Sequence, residues 1–90
     1  MEVKNQKAVF LGLTEREASG DKRAWKALDF VVFNENQSRR IYLDLNNSSL
    51  LYAIRQACVN WGDVFEFSGD ISQGDRLTLS DVSATNETLL

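Results

Sequence analysis

Ninety residues, 43% of them apolar and 26% charged, make one folded domain and leave no room for a second. Such a composition excludes disorder, and no apolar run nears the roughly 20 residues that span a bilayer. The formal charge of −3 argues against indiscriminate adhesion to nucleic acid, yet residues 1–40 hold eight Lys/Arg and six Asp/Glu while residues 41–90 hold two and seven, so a basic region coexists with an acidic total.

In chain order, the first predicted strand is residues 7–18, where Val9, Leu11 and Leu13 alternate with Phe10, Gly12 and Thr14. A glycine inside a strand marks a bulge or sharp bend, so Gly12 is expected to bend this one. Ser19 to Lys22 form a turn. Strand two is residues 23–34, with Leu28, Phe30 and Val32 on one face and Trp25, Ala27, Asp29, Val31 and Phe33 on the other. Residues 35–38 turn the chain again. Strand three, 39–45, sets Ile41, Leu43 and Leu45 against Arg40, Tyr42 and Asp44.

The period then changes. Leu50, Ile54, Ala57, Cys58 and Trp61 recur at three- and four-residue steps, which predicts a helix with one buried stripe. Asn47 or Ser48 supplies its N-terminal acceptor, and Gly62 its left-handed exit. Strand four is residues 63–71, with Phe65 and Phe67 inward. After a turn, strand five is residues 76–84, with Leu77 and Leu79 inward. Trp61, Phe65 and Phe67 are expected in the core. The ordered core is expected over about residues 7–84, with the ends disordered.

The order is β-β-β-α-β-β, an all-β domain with one helix. A small antiparallel sheet closed into a barrel, its end plugged by the helix, buries every apolar face at once and leaves few open edges.

Cys58 is the only cysteine and histidine is absent. An internal disulfide and a cysteine metal framework are therefore excluded, and the commonest acid–base and transition-metal ligand is missing. Neither an enzyme nor a cofactor or metal site is expected. Met1 to Lys7 are polar and lack a signal-peptide core, so the expected address is cytoplasmic, without membrane association.

The strand order, the glycine in "FLGLT", the helix between strands three and four and the closing hairpin "SGDISQGDRLTLSDV" resemble the OB-fold, a five-stranded Greek-key barrel. The similarity covers about residues 7–84. The stretch "GLTEREASGDKRAWKALDFVVFNE" is similar in style to the first hairpin of single-stranded-DNA-binding proteins. The β-grasp fits less well, because three strands precede the helix here.

The resemblance implies a non-enzymatic module that binds single-stranded nucleic acid, DNA in preference to RNA, across strands two and three. The residues expected there are Trp25, Phe33 and Tyr42 for stacking, and Arg16, Lys22, Arg23, Lys26 and Arg40 for phosphates. Arg39 lies near the edge of the same surface. Asp29 and Asp44 oppose the idea unless paired with Lys26 or Arg40. The alternative is a protein-interaction or homo-oligomerisation module using the same face, since Trp, Tyr and Arg also dominate protein hot spots.

Overall fold

The computed structural model describes residues 1–35 and 37–89; Asn36, in the expected 35–38 turn, and Leu90 lie outside them. Six elements follow in the predicted order: β1 (Glu2–Arg16), β2 (Trp25–Val32), β3 (Ser38–Tyr42), α1 (Ser48–Ala57), β4 (Asp63–Ile71) and β5 (Leu77–Thr88). The five strands form one antiparallel sheet in the order β3-β2-β1-β4-β5. β1 begins five residues earlier than expected and β5 ends four later. Bulges let both keep pairing: at Asn5 (φ +51°), whose N–H donates to Ser68 Oγ at 3.1 Å, and near Asn86 (φ +63°).

The inward sets follow the alternation. Leu28, Phe30 and Val32 of β2, Phe65 and Phe67 of β4, and Leu77 and Leu79 of β5 are buried. Phe30 meets Phe65 and Phe67 edge to face, with centroids 5.7 and 5.8 Å apart. This geometry favours the positive ring edge over the negative ring face. α1 adds Leu50, Ile54 and Ala57, followed by Cys58. The Asn47 Oδ1 accepts from the Leu50 N–H at 3.1 Å, satisfying one of the free donors of the first helical turn.

At the far end of α1 two expectations fail. The helix stops at Ala57, so Gly62 does not terminate it. Gly62 (φ +95°) instead sits in the turn before β4, where its N–H donates to the Phe10 carbonyl at 2.8 Å. Trp61 is consequently not part of the buried stripe and is 61% exposed. A three- or four-residue spacing carries a residue onto the buried face only while the helix continues.

The expected bulge lies between Phe10 and Gly12, and it decides which side chains of β1 share a face. Before it, Phe10 pairs with Phe30 on the inner face. After it, Leu13 pairs with Leu28 on that face, so the inward parity has switched from even to odd. Gly12, Thr14 and Arg16 therefore lie outward, opposite Asp29, Ala27 and Trp25.

The expected closed barrel is not realised by hydrogen bonds: the sheet ends at β3 and β5. A groove of about 500 Å³ separates these edges, lined by residues that include Ile41, Tyr42, Leu43, Leu77 and Leu79. β3 is short, and Arg39 spans the gap. Its Nε donates to both Glu35 carboxylate oxygens at 3.0 and 3.1 Å, and its Nη1 and Nη2 donate to the Asp75 carbonyl (3.2 Å) and Oδ1 (3.1 Å). The Glu35 hydrogen bonds lead the effects that raise the Arg39 pKa above its ordinary value. A side-chain clamp thus stands where a ladder would close the barrel, and a charged short edge resists further pairing.

Candidate functional site

The outer surface of β1, β2 and β3 carries a chain of contacting groups. Arg16 faces Trp25 across the β1–β2 pair, and its guanidinium carbon lies 5.8 Å from the indole centroid. That is within cation–π range. Its Nη2 also donates to the Arg23 carbonyl at 2.7 Å, holding the guanidinium beside the hairpin. Trp25 is half-buried and meets Tyr42 of β3 edge to face, centroids 5.8 Å apart and planes at 75°. Tyr42 is 67% exposed.

The hairpin that presents this group closes tightly. Ser19 and Lys22 exchange backbone hydrogen bonds of 3.1 and 2.9 Å, and Gly20 adopts φ +58° at the first central position. Only glycine enters that region without steric cost, as a two-residue II′-type hairpin requires. Lys22 and Arg23 emerge exposed beside the turn, and neither side chain is in an ion pair among the described residues.

Arg40 stands apart from these cations. Its Nε and Nη2 donate to the two carboxylate oxygens of Asp29 at 2.8 and 3.0 Å, directly across the β2–β3 pair. The Asp29 hydrogen bonds, then its charge, hold the Arg40 pKa above its ordinary value, with Tyr42 adding to the effect. The carboxylate that opposed anion binding on this face is thus neutralised by one of the two partners considered for it. The other, Lys26, follows the opposite parity and pairs with Glu15 at 3.5 Å, away from the Trp25 face.

The remaining expected residues scatter. Phe33 is exposed just beyond β2, its N–H bonded to the Lys7 carbonyl at 2.9 Å. At about 3.3 Å per residue it stands roughly 25 Å along the strand from Trp25 and cannot share a ligand ring with it. Asp44 lies past β3, where its Oδ1 accepts from the Asn46 N–H at 2.9 Å in the turn toward α1. Ala27, in the outward set, is fully buried: its methyl lies low between Thr14 and Tyr42, its register partners. Arg39 is withdrawn into the β3–β5 seam, its side chain only 14% exposed.

Of the predicted residues, Arg16, Trp25, Tyr42 and Arg40 share one face of the sheet, and Lys22 and Arg23 lie exposed in the hairpin at its end; Phe33 and Lys26 do not join them. Asp29 was legible in the sequence only as an opposing charge. Its part in orienting Arg40 depends on the cross-strand register. Chemically, the group offers an exposed ring to stack on, three cations not held by carboxylates (Arg16, Lys22 and Arg23), and one guanidinium held by a carboxylate. Comparisons with protein families, curated proteins and solved structures give no match to this chain.

Proposed function

We propose that this domain is an OB-like barrel, open along one seam, that binds single-stranded nucleic acid on the outer surface of β1, β2 and β3. The observation that carries the reading is the Arg16–Trp25–Tyr42 cluster, in which an exposed phenol ring adjoins an indole already bearing a cation. A base stacked on such a ring gains about 1–3 kcal/mol, whatever its identity. Lys22 and Arg23 then meet the neighbouring phosphates. The strand count, the helix position and the bulge in β1 agree with the OB-fold resemblance and support the reading further.

The test is fluorescence anisotropy of a labelled oligothymidylate of about ten nucleotides, within the range of OB-domain site sizes. With Arg16, Lys22 and Arg23 as the phosphate contacts, the log–log salt slope is expected near −2, from about −0.7 per phosphate. Engagement of Arg40 as a fourth would bring it near −3. Trp25→Ala or Tyr42→Ala is expected to weaken binding by roughly fivefold to a hundredfold. Absence of saturable binding at low salt, or a flat salt response, rejects the proposal.

One observation favours a protein-docking or self-association face: carboxylates already neutralise Arg40 and Lys26. That reading predicts no response to oligonucleotide, together with a molar mass by light scattering that changes in Trp25→Ala.

A further inference from the structure

Arg40 is poorly suited to the phosphate contact expected of it. Such a contact draws its strength from an uncommitted positive charge displacing counterions, and the Arg40 charge is cancelled at 2.8 and 3.0 Å by Asp29. The way it is cancelled leaves something else available. A guanidinium carries five N–H donors in a rigid plane. Asp29 takes the Nε side, through Nε and one hydrogen of Nη2. The guanidinium also donates, more weakly, toward the Tyr42 hydroxyl. No carboxylate takes the other hydrogen of Nη2 or the two of Nη1, and one hydrogen from each nitrogen forms a second, parallel fork at the far end of the same plane.

That fork matches a particular ligand edge. Guanine presents two adjacent acceptors, N7 and O6. In a single strand the Watson–Crick edge is open as well: cytosine presents N3 beside O2, whereas adenine pairs an acceptor with a donor on either edge and thymine sets an N–H between its two carbonyls. Guanine takes both hydrogen bonds on N7 and O6, and cytosine takes both on N3 and O2. The stacking surface is also in place. Tyr42 lies two residues from Arg40 on the same strand and face, roughly 7 Å along β3, and its ring is 67% exposed. Tyr42 also adds to the stabilisation of the charged Arg40 guanidinium, so the two side chains are electrostatic neighbours. A base lying on the phenol ring therefore has an edge within reach of the Arg40 fork. Because the plane of the guanidinium is set by two hydrogen bonds to Asp29, little further ordering is needed to meet that edge.

We propose that Arg40, oriented by Asp29, selects a base with two adjacent acceptors, guanine or cytosine, at the position stacked on Tyr42; this rests on the nucleic-acid reading above and gives it a base preference. Asp29 is then a positioning residue, and its charge serves recognition by keeping phosphates off the fork. The backbone of the bound strand runs on the Lys22 and Arg23 side.

The experiment uses the full chain and four labelled oligothymidylates that differ at one central position: G, A, C or T. A single guanine avoids strand self-association. Anisotropy titrations at one fixed salt concentration are run with the unmodified protein, with Arg40→Lys, and with Arg55→Ala on the exposed side of α1. Thermal melts confirm that each variant is folded. The guanine and cytosine strands are expected to bind about tenfold or more tightly than the adenine and thymine strands, the discrimination one bidentate arginine contact supplies. In Arg40→Lys, which keeps the charge and loses the fork, the ratio is expected to fall close to one. In Arg55→Ala the ratio is expected to persist. Binding of all four strands within about twofold overturns the base preference alone, and so does a preference that survives in Arg40→Lys. Failure of every strand to bind rejects the nucleic-acid reading itself.

Discussion

Trp25 and Tyr42 meet edge to face across the β2–β3 pair, 5.8 Å between centroids, with the Arg16 guanidinium against the indole. The contact orders a ring that is itself largely in solvent. Such pairs are worth about 0.5–1.5 kcal/mol beyond their buried area. A double-mutant cycle of Trp25→Ala and Tyr42→Ala, followed by urea denaturation, is expected to give a coupling energy of about 1 kcal/mol. Tyr42→Ala alone should cost under about 1 kcal/mol, since most of its ring stays wet in the folded state. Additive effects would mean that the rings touch without ordering one another.

Two glycines separate backbone need from incidental placement. A Cβ on Gly69 would run into the Thr78 carbonyl of the neighbouring strand, a backbone atom that cannot step aside. The β4–β5 register shifts beside it, Ser68 pairing with Asp81 and Gly69 with Leu79. Gly69→Ala is expected to destabilise by more than about 2 kcal/mol. Gly12, at the β1 bulge, has open space where a Cβ would go, and its φ is not positive. Gly12→Ala should be neutral or stabilise by up to about 1 kcal/mol through loss of unfolded-chain entropy. Thermal or urea unfolding of the two variants checks both, and equal costs would refute this account of the bulges.

Cys58 gives the fold an alkaline limit. Burial, with a smaller contribution from the Asp63 charge, pushes its thiol from 9.0 up to about 12. The folded state therefore keeps its proton at pH values where the unfolded chain releases it. Stability from this group is complete below about pH 9 and declines as pH rises toward 12. Between pH 8 and 10 the unmodified protein should lose on the order of 1 kcal/mol more than Cys58→Ala, which lacks the group. Every other ionisable group is common to both proteins and drops out of the difference. Urea midpoints at the two pH values supply the measurement; parallel losses would show the thiol to be wet.

The local pattern of residues determined the element order, the inward sets of β2, β4 and β5, a helix cap at Asn47 or Ser48, of which the structure uses Asn47, and the bulge at Gly12. Each of these rests on interactions within a few residues: alternation along a strand, periodicity along a helix, a short polar side chain before the first turn, a glycine in a strand. Such signals carry no information on what lies across the sheet. Trp61 shows the limit, since its spacing matched the helical stripe but the helix had already ended at Ala57. Which cation meets which carboxylate was settled by register alone. A single extra residue near Gly12 rotated Arg16 onto the Trp25 face and left Lys26 facing Glu15. Closure was decided in the same way: the apolar faces called for a barrel, but the short β3 edge meets the β4–β5 turn through the Arg39 side chain rather than through backbone pairing. Side-chain period is local and sequence can encode it directly, whereas pairing, register and closure are set only when distant strands compete for the same backbone donors and acceptors.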